Sequence, residues 1–353
     1  GQRYLDGFSD DEAQFKSLMD RGITFGKSYN LKLGVALTPE QMALLTGDIV
    51  WLVNTQVKMP DGATQTVLVP QVYAKVKQGD IDGSGALIAG NNVSIKLNGD
   101  LFNSGTLAGR KVLQLEADNI TNRSGTLQGA DVSLKAKTDI NNVGAAIVGD
   151  SSVLASAGRD INVTTTTGSA QSVNGENSFA RTTIDSVSGI YVQGDDGRLA
   201  LQSGRDITLT GAQVIASGEN GKAQLVAGRD MHLNTVTTAS RDSLVWDADN
   251  TLKQSESMNV GSEVTGKGNV TLAAGNDLSA RAAALSAGQA LNVSAGNNLT
   301  LAAGENTQDL DERHKVVGGN GWLSKTTTTT RDTVDKQQVK GSELSAGSVN
   351  IAA

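Results

Sequence analysis

From about residue 81 onward, apolar positions recur in rows. Leu87, Leu107, Leu127 and Ile147 fall 20 residues apart without a slip. A second row, Leu101, Ile120, Ile140 and Ile161, is spaced 19, 20 and 21. A third, Val93, Val112 and Val132, follows a Gly by three residues each time. Within units, Val93-Ser-Ile95-Lys-Leu97 and Val132-Ser-Leu134-Lys-Ala136 alternate apolar and polar, the period of a strand. Gln114 interrupts that alternation in the second unit and predicts a bulge there. Two or three short strands per 20 residues predict one coil of a parallel β-solenoid, whose apolar rows stack on the coil below. On the order of ten coils would span roughly 50 Å. Gly and Asn, as in Asn91-Asn92, Asn141-Asn142 and Asn297-Asn298, are expected at corners because they tolerate positive φ.

A longer period lies above the first. Ser203-Gly204, Ala274-Gly275 and Ala346-Gly347 are 71 and 72 residues apart. Between the coils lie three long polar insertions, near residues 162–190, 231–265 and 301–342. The first goes out through Thr164–Thr167, turns at Asn174-Gly175-Glu176-Asn177 and returns through Arg181–Val187. The second turns near Asp247–Asn250, and the third near Gly318-Gly319-Asn320-Gly321 with Thr326–Thr330 returning. β-Branched flanks around Gly/Asn tips predict β-hairpin arms. One armed coil with two plain coils per superunit would repeat the arms roughly every 14 Å. Val349-Asn-Ile351 ends mid-pattern, so the natural chain is expected to continue.

Residues 1–80 follow another pattern. Ser9 and Glu12 form a capping box ahead of Ala13, Phe15, Leu18 and Met19, with Gly22 as the expected helix stop. Thr38, Pro39 and Gln41 predict a second helix carrying Met42, Leu44 and Leu45 and stopping near Gly47. Ile49–Val53 and Val67–Val69 flank Met59-Pro60-Asp61-Gly62, which predicts a hairpin near 49–73. The fold class expected is mainly β: a right-handed parallel β-helix (β-solenoid) at 81–353 with β-hairpin extensions, preceded by a small α/β module at 1–80.

Composition narrows the function. The 353 residues carry 30 Lys plus Arg against 37 Asp plus Glu, a net charge of -7, with 3% aromatics. Neither phosphate neutralisation nor base stacking has material, so no nucleic acid is expected as partner. The absence of Cys removes disulfides, thiolate metal sites and Cys nucleophiles. No run approaches 18 apolar residues, so no membrane-spanning helix is expected. Gly is 41 and Pro only 3, which suits many tight turns between short strands.

Candidate chemistry is thin. Gly-Arg-Asp occurs at Gly158–Asp160, Gly204–Asp206 and Gly228–Asp230. The order is not that of the adhesion tripeptide, and its single phase in the repeat reads as a corner whose Asp bonds local backbone. Asp80-Ile-Asp82-Gly-Ser84 opens like a calcium loop, but Asn91 stands where the bidentate Glu belongs. His232 and His314, both assigned to arm strands, have no ligand spacing. Neither a nucleophile elbow nor a unique carboxylate pair appears, so no catalytic, cofactor-binding or metal residue is expected, and no small-molecule substrate. The apolar pair Trp322-Leu323 with Lys325, beside the third tip, is the candidate contact site, either between arms or to an external partner.

Gly105–Asn122, Gly125–Asn142 and the Ala-Gly-Arg-Asp and Ala-Gly-Asn-Asp corners resemble the haemagglutinin repeats of filamentous haemagglutinin-like exoproteins. Glu312-Arg-His with Gly321-Trp-Leu-Ser-Lys through Arg331-Asp332 resembles the hairpin insertion in the second haemagglutinin-repeat (FHA-2) region of the CdiA class, the contact-dependent growth inhibition effectors. Tyr4-Leu-Asp-Gly-Phe-Ser-Asp and Asp48–Val53 resemble the segment entering that region. The resemblance implies two-partner secretion through an outer-membrane transporter and display at the surface of a Gram-negative cell. It also implies action at the target outer membrane or a surface receptor during toxin delivery. A zero Cys count suits a chain that stays unfolded through an oxidising periplasm. The motifs of secretion, pretoxin and toxin regions are absent, so toxicity passes to no residue. The alternatives are an adhesin for a host or bacterial receptor and a carbohydrate-active enzyme.

Overall fold

The computed structural model describes residues 10–29, 31–37, 41, 45, 49–58, 64–73, 87–321 and 324–353. It divides into two compact units, Gly1–Asp82 and Gly83–Ala353. The second helix expected near 38–47, the Met59–Gly62 turn and the Asp80–Ser84 motif lie outside the described residues, wholly or in large part.

In the first unit, helix α1 spans Asp11–Ser28. Its cap is Asp10, whose carboxylate accepts from the Ala13 amide at 2.8 Å, satisfying one of the free donors of the first turn. The helix does not stop at Gly22. A Cβ there would sit 2.0 Å from the Val50 carbonyl oxygen, and one at Gly26 2.5 Å from the Trp51 ring. These two glycines, one turn apart, let the helix lie against the hairpin of Ile49–Lys58 and Thr64–Tyr73. Phe25, Leu37, Leu45, Ile49, Trp51 and Tyr73 form the core. Two polar tips in it are paired: the Trp51 indole donates to the Val35 carbonyl, and the Tyr73 hydroxyl accepts from the Leu37 amide.

The second unit is built from two parallel sheets that the chain visits alternately. Eight short strands form the narrow sheet, from Leu101–Asn103 to Leu299–Ala302. Twelve strands form the broad sheet, in nine levels from Leu87–Lys96 to Glu343–Ala352. Each circuit pairs in parallel with the one before, so equivalent side chains stack in columns. One column is Leu101, Ile120, Ile140, Ile161, Ile207, Met231, Leu278 and Leu299. A second is Ile88, Leu107, Leu127, Ile147, Ile190, Val214, Val264, Leu285 and Leu344. Its first member is Ile88, not Leu87, which faces out.

The third column is Val93, Leu113, Val132, Val153 and Leu199, continuing to Leu291 and Val349. Val112 is displaced from it because the Gly105 unit has one extra residue between Gly109 and Val112. The irregularity therefore sits at Arg110-Lys111, ahead of Gln114, which stays paired with Ser94 and Ser133. The hydrophobic cluster between the sheets is built of Leu, Ile, Val, Ala and Met, and Asn103, Asn122 and Asn142 are buried beside it. Fully burying one such side chain contributes roughly 1.5–3 kcal/mol, and the sum over the columns holds the unit together.

Candidate interaction surface

The corners come first, because they decide where the arms leave. In four of the five plain circuits, the corner after the narrow strand closes on a left-handed residue: Ser124 (φ 55), Gly144 (φ 53), Gly211 (φ 56) and Ala282 (φ 47). The residue after it in three of these is Ala145, Ala212 or Ala283, all buried. In armed circuits the chain leaves instead, and on return that position is Ser188, Ser262 or Ser342. Ser262 Oγ accepts from the Ala212 amide of the preceding circuit and donates to the Asn234 carbonyl at the foot of its own arm. Ser342 does the same between the Ala283 amide and the Ala302 carbonyl. Ser188 donates to the Asn142 carbonyl and accepts from the Asn142 amide group. Asn142 is the last of a buried column, Asn103, Asn122 and Asn142, bonded side chain to side chain at 2.7 and 2.8 Å. These asparagines lie in narrow-sheet strands and not at left-handed corners. Their column ends where the first arm begins.

The opposite corner holds the Gly-Arg-Asp motifs. Gly158, Gly204, Gly228, Gly275 and Gly296 stack directly. A Cβ on any of the last four would fall 2.1–2.3 Å from the carbonyl oxygen of the glycine below. Close approach of backbones, not positive φ, requires Gly here. Ala346-Gly347 belongs to another corner, since Ala346 pairs with Ala287; the 71- and 72-residue spacings therefore do not mark one column. Each Arg reaches the Asp of the preceding circuit: Arg159 to Asp139, Arg205 to Asp160 and Arg229 to Asp206, with Nε–Oδ1 distances of 2.8–2.9 Å. Each Asp also accepts the backbone amide of the next circuit's Asp, at 3.2 Å. The Asp of the motif thus accepts the backbone amide of the following circuit and not of its own turn, and it also stands 3.1–3.5 Å from the Arg beside it. In the last circuits Asn replaces Arg: Asn276 Nδ2 donates to Asp230 at 2.8 Å. That bond, with the Asp277 amide, holds the Asp230 carboxyl below the ordinary carboxylate value. For Asp206, burial pushes the carboxyl up, but the Arg229 guanidinium, the Asp230 amide and Arg205 together hold it low.

Three hairpin arms leave the first corner. Arm 1 is Thr166–Asn174 with Asn177–Ser186, arm 2 Val236–Asp247 with Asn250–Val260, and arm 3 Gly304–Gly321 with Ser324–Lys340. They pair with each other, arm 1 to arm 2 and arm 2 to arm 3, into one six-stranded antiparallel sheet. One plain circuit, not two, separates successive arms. Two circuits advance about 10 Å, the width of two strands, so each hairpin fills the space that its recurrence leaves. Across the joint between arms 1 and 2, Arg181 makes a bidentate pair with Asp242, at 2.5 and 2.9 Å, and Gln254 adds a bond at 2.7 Å. Asp242 is buried, and these two donors hold its carboxyl below the ordinary range. Between arms 2 and 3, Ser255 donates to Asp309, and Lys315 pairs with Asp249 at the tip of arm 2.

Trp322 and Leu323 lie outside the described residues; Lys325 is exposed on the returning strand of arm 3. His314 is on arm 3, but His232 lies in the narrow-sheet strand Met231–Asn234 and contacts Ser279. Trp246, at the end of arm 2, is 61% exposed; it stands beside the turn read from the sequence and was not singled out there. Among the described residues no group of three or more metal-ligating side chains occurs, and no helix is long and apolar enough to cross a membrane.

Comparison with known proteins bears on this arrangement. The Hemagglutinin repeat family matches residues 181–243 and 247–343, which contain most of the arm sheet. The "Deoxyribonuclease CdiA" of Dickeya dadantii (strain 3937) is 37% identical over 296 residues, 81% of this chain and 8% of that protein. The chain belongs to the CdiA type of filamentous haemagglutinin-like proteins. The "tRNA nuclease CdiA" of Escherichia coli (strain STEC_O31) is 31% identical over 293 residues, again 81% of the chain and 8% of the relative. The "Toxin CdiA" of Yersinia pestis is 45% identical over 96 residues, 27% of this chain and 3% of that one. The chain thus spans less than a tenth of these CdiA relatives, and the nuclease activities in two of their names belong to those proteins. No solved structure matches the chain.

Proposed function

We propose that this chain is a non-catalytic stalk and delivery segment of a secreted CdiA-type effector, acting at the target-cell envelope to help toxin translocation. In this reading the second unit is a right-handed parallel β-helix, exported by a two-partner outer-membrane transporter and displayed on a Gram-negative cell. The first unit is a small α/β module that precedes it. The observation that carries the reading is the arm sheet. It stands on three armed circuits of a repeat stack, is covered in most of its length by the Hemagglutinin repeat match, and has no part in the core of the stack. Stacked columns give reach without chemistry, whereas the arms offer surface. Trp322, Leu323 and Lys325 are the proposed contacts at the third tip.

A second reading, an adhesin binding a host or bacterial receptor, draws support from the exposed aromatics Trp246 and Phe102. The test is an in-frame deletion of residues 166–341 in the full-length effector, with Thr165→Gly. Residue 165 is then followed by Ser342, which takes the corner position that Ser188 fills after arm 1, so the stack is shortened by four circuits and still closes. The expected result is display and target attachment retained and target killing lost. Loss of attachment itself would assign the segment to adhesion and overturn the delivery reading.

A further inference from the structure

His314 stands where the tip of arm 2 meets arm 3, and its two ring nitrogens face two acceptors. Nδ1 is 3.3 Å from Asn250 Oδ1, and Nε2 is 3.3 Å from Glu312 Oε1. The partners of Asn250 fix which way its amide points. Nδ2 donates to both oxygens of Asp247, at 2.9 and 2.8 Å, and Oδ1 accepts the Lys315 amide at 2.8 Å. His314 therefore meets an oxygen, and Nδ1 must carry a proton to bond it. The Glu312 carboxylate offers only lone pairs, so Nε2 must carry a proton as well. A neutral imidazole has one N–H and satisfies one of these contacts; the imidazolium satisfies both.

We infer that His314 is a pH-sensitive clasp between arm 2 and arm 3, tight as the imidazolium and slack as the neutral ring. Both acceptors favour the charged form, so the clasp is firm on the acid side. It slackens as pH rises through the range in which imidazole loses its proton, about pH 5 to 8. The carboxylates around it act in the same sense: Glu312 on its own strand, Asp332 opposite Glu312 on the returning strand of arm 3, and Asp247 and Asp249 in the turn of arm 2. The cations Arg313, Lys315 and Arg331 alternate to the other face of the sheet. On losing a proton the ring keeps Nδ1–H for Asn250 and gives up Glu312, and a charge-assisted bond becomes a neutral one of roughly half the strength. Lys315 still bonds Asp249, at 2.7 Å, so the clasp modulates the joint and does not open it. Its position gives the change a use. The ladder between arms 2 and 3 stops at Thr251 and Arg313, whereas the two strands of arm 3 stay paired beyond it, to Val317 and Gly318. The clasp grips the base of that two-stranded ribbon, which leads to the third tip. Its use in delivery rests on the proposed function; the clasp itself does not, and it is tested on the chain alone.

Amide exchange of Lys315, whose N–H goes to Asn250, tests the inference between about pH 5.5 and 8. Its protection factor, corrected for the intrinsic effect of pH, should be about threefold higher at the acid end, as suits a half-exposed pair. In His314→Gln, which keeps a neutral donor, protection should be flat at the lower level. In His314→Arg, which keeps the charge, it should be flat at the higher level. Amides of residues 179–182, in the joint between arms 1 and 2, should not respond. Nitrogen NMR of the imidazole gives a second reading: both nitrogens protonated at the acid end and Nδ1 alone at the other. The same pH dependence of Lys315 protection in the parent and in His314→Gln overturns the inference, and so does a neutral ring protonated on Nε2.

Discussion

Ser262 and Ser342 each join an amide of one circuit to a carbonyl at the foot of an arm. Removing the hydroxyl takes the bond from the Ala212 or Ala283 amide, while the Asn234 or Ala302 carbonyl keeps its bond from the Gly211 or Ala282 amide, and Ser262 is buried. Ser262→Ala should therefore destabilise the second unit by about 2 kcal/mol, whereas Ala212→Ser, at the same position of a plain circuit, gains no equivalent bond. Chemical denaturation of the two variants checks this. Gly228→Ala should cost about 3 kcal/mol or more, since the new Cβ meets the Gly204 carbonyl and not a movable side chain. Acid behaves predictably as well. Asp206, Asp230 and Asp242 are held below their ordinary value of 3.8 in the folded chain. Their stabilisation is complete above that value and is lost as pH falls through the lower folded values. Stability should be flat from neutral pH to about pH 5 and drop below about pH 4. In Asp230→Asn the drop should be shallower, as read by urea midpoints against pH.

At the scale of elements, the arms differ from the circuits in what holds them. Circuits share a continuous aliphatic cluster, while arms share backbone ladders and a few side-chain pairs. Asp242 ties arm 1 to arm 2, and its loss strands Arg181 and Gln254. Asp242→Ala should raise amide exchange about tenfold in Asn177–Ser186 without altering exchange in the narrow sheet. The strand pattern, the three hairpins and the stacking period were legible in the sequence because apolar columns must repeat with each circuit. The distance between arms was not, because a count of residues does not separate a plain circuit from a long arm. The signal that could have separated them is the alternation Ser188, Ala212, Ser262, Ala283, Ser342, where Ser marks an armed circuit. Gly22 was misread as a stop for a similar reason: a close approach and a chain break look alike in sequence. The aromatics were few because the space between the sheets admits Leu, Ile, Val, Ala and Met. Among the described residues, those that remain stand in the first unit, on exposed positions such as Phe102, Phe179 and Trp246, or half-buried on the broad sheet, as Tyr191 does.

Across the second unit, the proposed function rests on a match between two spacings. A hairpin occupies two strand widths, and armed circuits recur every second level, so three separate insertions become one surface. Gly204 and Gly228 stand at the same corner of successive circuits, so removing Arg205–Gly228 joins Gly204 to Arg229-Asp230 and restores a Gly-Arg-Asp corner. One plain circuit is lost, and arms 1 and 2 then leave from adjacent levels, about 5 Å apart where two strands need about 10 Å. The other circuits, all three arms and every proposed contact at the third tip are retained; beyond that circuit, only the continuity of the arm sheet is broken. The measurement to make is target attachment and target killing by the full-length effector carrying this deletion, with surface display as the control. Display and attachment at the parental level with killing reduced at least about tenfold is the expected result. Killing at the parental level would contradict the assignment of delivery to the arm sheet.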